Sequence, residues 1–343
     1  MISQVSFPKG VLIGVLVVGV AALNPALAGK QEQEEGWPEI SGKLSAAKKK
    51  KDKKTVVNCN NNNASIQKEI NKVKHNADKT IYVKGFCDES VVIESDNITL
   101  RGDRDLDNVV GGGLTEIRVV GAHRVTVNAL ELTGNGYGIL VTDGASVDIF
   151  NSYIHDNVFD GVGVANASFA RVYYNQIVNN GRPEPYYEAG IDVWAGSTVR
   201  SAGNMVSDNP YAAVEVGSQS YFRSGFFTTG NPDPADQDVL VQKGCSQGDA
   251  ADTDCGDPGT AAIDIYRNGV ADLRNTDVTG LSYISGLSNL DVRTSVFNGD
   301  VQGSGGSRIH LRSNVSGTGD ISCFSEAFSS SFWSCGGSLG PSP

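Results

Sequence analysis

A short motif recurs along the chain: "GILV" from Gly138, "GVGV" from Gly161, "GIDV" from Gly190 and, with alanine leading, "AVEV" from Ala213. The intervals are 23, 29 and 23 residues, and the longest holds an insertion, "GRPEPYY", at 181–187. A second column closes each unit: "LELTGN", "SYIHDN", "NQIVNN" and "NMVSDN" end at Asn135, Asn157, Asn180 and Asn209, and "FFTTGN" ends at Asn231. Short alternating runs such as "ASVDIF", "SFARVYY" and "STVRSAG" lie between the columns. Period-two apolar positions separated by Gly, Asn and Ser predict short strands and tight turns, with no helical period. A unit of about 23 residues cannot bury its apolar face alone, so successive units must stack. Asparagine suits the turns because it tolerates left-handed backbone, and stacked amides can hydrogen-bond along the column.

On these two columns, "G-[IV]-x-V" and "[IV]-x-[DN]-N", the chain resembles the right-handed parallel β-helix proteins. These are the pectate-lyase-like group and its generic right-handed β-helix repeat relatives, and the likeness covers roughly residues 80–322. The fold expected is all-β, a right-handed parallel β-helix solenoid. Shorter coils continue it, marked by Arg274, Arg293 and Arg312 at intervals of 19 residues. A strand at "VVNC" and an amphipathic helix in "SIQKEINKVKH", with Ile66, Ile70 and Val73 on one face, are expected to cap the first coil. "ISCFSEAFSSSFWSC" is expected to close the last. Uncapped coils would offer open strand edges.

The N-terminus has Lys9, an apolar run "VLIGVLVVGVAAL" and then Ala26 and Ala28, the marks of a secretory signal peptide cleaved after Ala28. The run is too short to span a bilayer. Residues 29–54 are expected to be a disordered, lysine-rich linker, or a tether to an anionic envelope surface. Residues 55–340 form the expected β-helix domain, with caps at 55–87 and 321–340 and a loop insertion at 232–259. The product is expected to be secreted or periplasmic and monomeric. Six cysteines in an exported chain favour disulfides. Fifteen pairings are possible; the most local set is Cys59–Cys87, Cys245–Cys255 and Cys323–Cys335. None has the close paired spacing of a zinc site.

The net charge of −11 is unevenly spread. Of 15 lysines, 14 lie at or before Lys84, and from residue 85 onward 14 basic residues face 32 Asp and Glu. An acidic body of this kind excludes a nucleic-acid partner, which needs a basic footprint, and disfavours a polyanionic substrate unless cations intervene.

In the "G-[IV]-x-V" strand the middle residue faces outward. That column reads Leu140, Gly163, Asp192, Glu215 and, after a gap, Asp264 in "AIDIY". Coils ~4.8 Å apart would bring the three carboxylates together, raising one another's pKa unless a cation, a shared proton or water intervenes. Two insertions, 181–188 and 232–259, enter just before this column and are expected to wall a groove. Arg182, Tyr186, Tyr187 and Glu188 from the first, with Trp194 after the strand, offer ring faces and acceptors to a sugar chain. The second carries seven aspartates, among them Asp252, Asp254 and Asp257, a candidate calcium site or a solvated acidic loop.

The resemblance implies two kinds of polysaccharide chemistry. A hydrolase would use Asp192 and Glu215 as its acid/base pair, with Asp264 a third catalytic candidate in the same column. A lyase would hold calcium and need Arg182, Lys243 or Arg267 as base. Of the polygalacturonase-like motifs only "NTD" is present, at Asn275–Asp277, and no alginate-epimerase-like "DPHD" occurs. The expected function is binding of a polysaccharide or cell-surface glycan, with cleavage open. The alternative is a non-catalytic adhesin, glycan-binding module or envelope scaffold. His155 in "YIHDNVFDGVGV" is not expected to be catalytic. It shares its column with Val178 and Ser207, a slot with no fixed chemistry, and alternation turns it outward. "RGD" at 101–103 reads as a turn.

Overall fold

The computed structural model describes residues 55–61, 64–73, 77–102, 112–134, 136–182, 188–225, 234–245, 260–311, 315–324 and 337–338. The β-branched, alternating runs form strands, and each strand pairs in parallel with its counterpart one coil further on. Three stacks result. The first sheet runs through Ile139–Thr142, Val162–Val164, Ala189–Val193, Ala212–Val216, Ala261–Ile265, Ser282–Ile284 and Val301–Ser304. The second contains Ser146–Phe150, Phe169–Tyr173, Thr198–Ala202, Tyr221–Ser224 and Val270–Arg274. The third contains Tyr153–His155, Gln176–Val178, Met205–Ser207 and Asp238–Val241. The expected parallel solenoid is the observed fold. Gly337–Ser338 breaks the pattern by pairing antiparallel with Asp320–Phe324.

The interior is built of like stacked on like. Ile139, Val162, Ile191, Val214 and Ile263 follow one another in register, as do Val141, Val164, Val193, Val216 and Ile265, all fully buried. The leading glycines of the motif have a steric cause. A Cβ on Gly161 would lie 2.6 Å from the Ile177 methyl and 2.7 Å from the Gly190 carbonyl oxygen, closer than any side chain tolerates.

The asparagine column forms a buried hydrogen-bonded ladder. Asn157 Nδ2 donates to Asn180 Oδ1 at 2.8 Å and Asn180 Nδ2 donates to Asn209 Oδ1 at 3.2 Å. Each amide also caps a carbonyl of the preceding coil: Leu132 for Asn157, Ile154 for Asn180 and Ile177 for Asn209. A second ladder, unforeseen in the sequence, runs from Asn175 through Asn204 to Asp238, with Nδ2–Oδ1 distances of 3.0 Å at both steps. The left-handed backbone falls one residue earlier than expected, at Asp156, Asn179 and Asp208. The ladder asparagines stack; their predecessors turn the chain.

The first coil is capped as expected. Thr55–Asn58 pairs with Lys79–Ile93. The helix spans Ile66–Ile70, with Ile66 and Ile70 buried and Ser65 as its N-cap, accepting from the Lys68 N–H. Glu89 holds the helix start through Ser65 Oγ and the Ile66 N–H, at 2.7 and 2.8 Å. Cys59 and Cys87 form the expected disulfide. Cys245 is also disulfide-bonded, while Cys255 and Cys335 lie outside the described residues, as do the signal peptide and linker. No helix among the described residues is long and apolar enough to cross a membrane.

Asn180→Ala leaves the carbonyls of Ile154 and Val178 and the N–H of Asn157 without their side-chain partner. At about 1–3 kcal/mol for an orphaned buried group, the variant is expected to lose roughly 3 kcal/mol in urea denaturation. A loss within error of zero would show that the ladder contributes nothing to stability.

Candidate functional site

The outward column of the first sheet has the register expected. Leu140 pairs with Gly163, Gly163 with Asp192, Asp192 with Glu215, Glu215 with Asp264, and Asp264 with Tyr283. Parallel strands repeat at about 4.8 Å, so Asp192, Glu215 and Asp264 occupy three consecutive rungs. Their surroundings are drier than an open sheet face would be. Glu215 is 5% and Asp264 7% exposed, and Asp192 is half-buried.

Two tyrosines account for the cover, and they cross. Tyr211, on the coil of Glu215, donates its hydroxyl to Asp264 Oδ2 on the next coil. Tyr266, on the coil of Asp264, reaches back to hydrogen-bond Glu215. Its ring fills the space over Gly217, where a Cβ would fall 2.3 Å from Tyr266 Cζ. Trp194 does the same two coils lower, its ring edge 3.1 Å from where a Gly163 Cβ would stand. The two glycines are therefore the floor on which Trp194 and Tyr266 lie along one side of the ladder.

The other side has an aromatic column of its own, which sequence reasoning missed. The second residue after each ladder asparagine position is Tyr137, Phe159, Arg182 and Tyr211. Tyr137 and Phe159 have ring centroids 5.1 Å apart, and the Arg182 guanidinium lies 5.6 Å above Phe159. The pattern "N-x-aromatic" was available in the sequence. Asp160 was also missed: it is 3% exposed, and its Oδ1 accepts the Ala189 N–H at 2.7 Å. Glu188 accepts the Arg182 backbone N–H at 3.3 Å. Tyr186, Tyr187, Asp252, Asp254 and Asp257 lie outside the described residues.

Crowding and dryness hold protons on these acids. Burial, then the nearby Asp264 and Asp160, push Glu215 up to about 8. Burial also pushes Asp160 up to about 8, and burial with Asp160 and Glu215 nearby holds Asp192 well above the usual range. Asp264 is raised by burial too, but the Tyr211 hydroxyl opposes the shift by favouring its anion. Burial beside Asp160 and Glu188 pushes Tyr137 up to about 12. Each rung has one buried oxygen with no hydrogen-bond partner: Asp192 Oδ1, Glu215 Oε2 and Asp264 Oδ1. Among the described residues, no three Asp, Glu, His or Cys side chains converge as a metal site would require.

The other candidates lie elsewhere. His155 faces outward from the third sheet, stacked on Tyr153 at 3.9 Å, with Nδ1 2.6 Å from Asp156 and Nε2 3.2 Å from Glu131. Asp277 of the "NTD" match is on the third sheet also. Arg101 and Gly102 of "RGD" end a strand, Ile98–Gly102, where a turn was expected; Asp103 lies outside the described residues.

A stacked parallel solenoid with a chemically dense outer column defines the class of protein. Residues 55–227, just over half the chain, match the family model for the right-handed β-helix region, and the chain belongs to that family. No characterised protein matches it in sequence. A solved structure similar to it is ORF18 of Geobacillus virus E2, 13% identical with a TM-score of 0.36, over 78% of this chain and 61% of that one. The chain thus spans less than two thirds of that protein, and a likeness this slight bears on neither fold nor function.

The Glu215 shift fixes a pH dependence. The folded chain holds this proton up to about pH 8, whereas the ordinary value is 4.5. Between those values the unfolded chain is ionised and the folded chain is not, so stability is full at low pH and falls as pH rises through the window. One such group gives a slope of at most about 1.4 kcal/mol per pH unit. Glu215→Gln is therefore expected to match the parent near pH 4 and to exceed its stability at pH 8 in denaturant titrations. Parallel curves for the two proteins would mean that Glu215 carries no such proton.

Proposed function

We propose that this chain binds a polysaccharide along the outer face of the first sheet and hydrolyses it with Glu215 and Asp264. The observation that carries the reading is a carboxyl that keeps its proton near neutral pH, one rung from a carboxylate supported by a tyrosine hydroxyl. Paired carboxyls with separated proton affinities are the working parts of glycoside hydrolysis. Glu215 protonates the departing glycosidic oxygen. Asp264, its anion favoured by Tyr211, attacks the anomeric carbon, and Glu215 then takes a proton from the water that releases the sugar. Adjacent rungs at about 4.8 Å match the close carboxyl spacing of retaining enzymes, about 5–5.5 Å. Trp194 and Tyr137 border the ladder as ring faces for sugars, and Asp192 offers an oxygen to a hydroxyl.

Lyase chemistry fits less well, because two of the three cations expected as base are turned to rings: Arg182 to Phe159 and Arg267 to Tyr266, each at 5.6 Å. A non-catalytic glycan binder is the second reading. It is favoured by the crossed tyrosines, which tie down one oxygen each on Asp264 and Glu215. The Cys59–Cys87 disulfide supports an oxidising location outside the cytoplasm.

The test is to incubate the full chain with a glycan panel, with and without calcium. Reducing ends report hydrolysis, and absorbance from unsaturated uronate reports elimination. The expected result is reducing ends with the anomeric configuration retained, and a loss of roughly 10²–10⁴-fold in Glu215→Gln. Binding without products would establish the non-catalytic reading. Unsaturated uronate that requires calcium would replace the hydrolase with a lyase.

A further inference from the structure

The ladder is an uncompensated stack of acids, which limits what can lie on it. Asp160, Glu188, Asp192, Glu215 and Asp264 lie close enough to influence one another or Tyr137. Arg118, itself bonded to Glu116 at 2.8 Å, bears on Tyr137 and Arg182 on Glu188, while the influences on Asp192, Glu215 and Asp264 are burial, hydrogen bonds and neighbouring acids. Glu215 and Asp264 are more than nine-tenths buried, and each has an oxygen without a partner. Buried acceptors left unpaired are costly, and a ligand that supplies donors there relieves that cost. An anionic sugar would meet like charge at every rung that ionises. A neutral sugar would offer hydroxyls but no charge.

A cationic ligand fits, and geometry narrows its kind. A calcium ion needs six to eight oxygens converging at 2.3–2.6 Å. The ladder instead strings its carboxyls out in a line, one per coil, and no convergent group exists among the described residues. Ammonium groups spaced along a chain suit a line of acceptors, since each carries three N–H donors and gains from carboxylates. Ring faces such as Trp194, Tyr211 and Tyr266 attract the same charge.

We infer that the glycan this ladder takes is an amino sugar polymer with free amines, and that ammonium groups seat on Asp192, Glu215 and Asp264. The inference rests on the non-catalytic glycan-binding reading above, in which Glu215 and Asp264 hold the sugar and do not cleave it, and adds the substrate class. Binding is also coupled to protons. The ladder holds protons on Glu215, Asp192 and Asp160, with Tyr211 and Tyr266 hydrogen-bonded to its acids. An ammonium must displace a proton to find a carboxylate, so complex formation releases protons.

The experiment is titration calorimetry of the full chain at pH 6.5 with a glucosamine hexamer, its N-acetylated counterpart, oligogalacturonate and calcium chloride, in buffers of different ionisation enthalpy. The hexamer is expected to bind at least about tenfold tighter than the N-acetylated form, to weaken with salt and to release protons. Asp192→Asn and Glu215→Gln should each weaken it about tenfold. Asp148→Asn, which removes the same charge on the second sheet, should not, and thermal melts of all three variants check that they fold. Preference for the N-acetylated hexamer or for oligogalacturonate overturns the amine assignment and leaves glycan binding standing. Calcium binding without hexamer binding also overturns it. Binding that ignores the ladder variants places the ligand on another surface and overturns both the inference and the site. No binding by any sugar sinks the glycan reading itself.

Discussion

In-register parallel stacking is the constraint on which everything else in this molecule depends. Each residue stands about 4.8 Å from its counterpart in the next coil, so whatever fills a position is set directly against what fills the same position one coil on. Inside the solenoid this favours stability. Ile139, Val162, Ile191, Val214 and Ile263 bury one another without any change of partner type. Outside, the same rule drives Asp192, Glu215 and Asp264 together at a cost, because like charges on neighbouring rungs repel.

Polar groups within the stack have two fates. The asparagines of both ladders satisfy themselves, because an amide has a donor and an acceptor and can pass a hydrogen bond from coil to coil. They also close carbonyls at the corners where the strand pattern breaks, which helps to hold the register against a slip. Carboxylates cannot do this. An ionised carboxylate accepts only, so a column of them needs protons, tyrosine hydroxyls or an outside cation. The protein supplies the first two through raised proton affinities and the crossed Tyr211 and Tyr266. The orphaned oxygens that remain are what a bound ligand would complete.

This places the candidate site among those where local stability is forgone. Gly163 and Gly217 give up side chains that a strand would normally use for packing, and the rings of Trp194 and Tyr266 take the space. The Glu215 proton ties folding to pH in the direction opposite to an ordinary salt-bridged carboxylate, whose contribution is lost on acidification. An acid side chain kept neutral at neutral pH is a feature of chemistry or recognition more than of scaffolding.

The repeat period, the inward branched residues, the capping helix, the Cys59–Cys87 bridge and the order of the outward column were all legible from the amino acids alone. Each follows from spacing: a solenoid turns a sequence interval into a rung, so aligning "GIDV" with "AVEV" is already a statement about neighbours in space. What spacing could not convey was depth. Outward-facing acids on a β-sheet read as solvated, and only the assembled coils show Tyr211 and Tyr266 folded over them from the adjacent coils. Asp160 likewise looks like a turn residue in "YIHDNVFDGVGV" until the chain packs Ala189 against it. Dielectric environment and cross-coil hydrogen bonds depend on side-chain directions at corners, where period-two alternation breaks down. Hence the sequence by itself determined which residues share a column, and the tertiary structure alone decided which of them are dry enough to hold a proton.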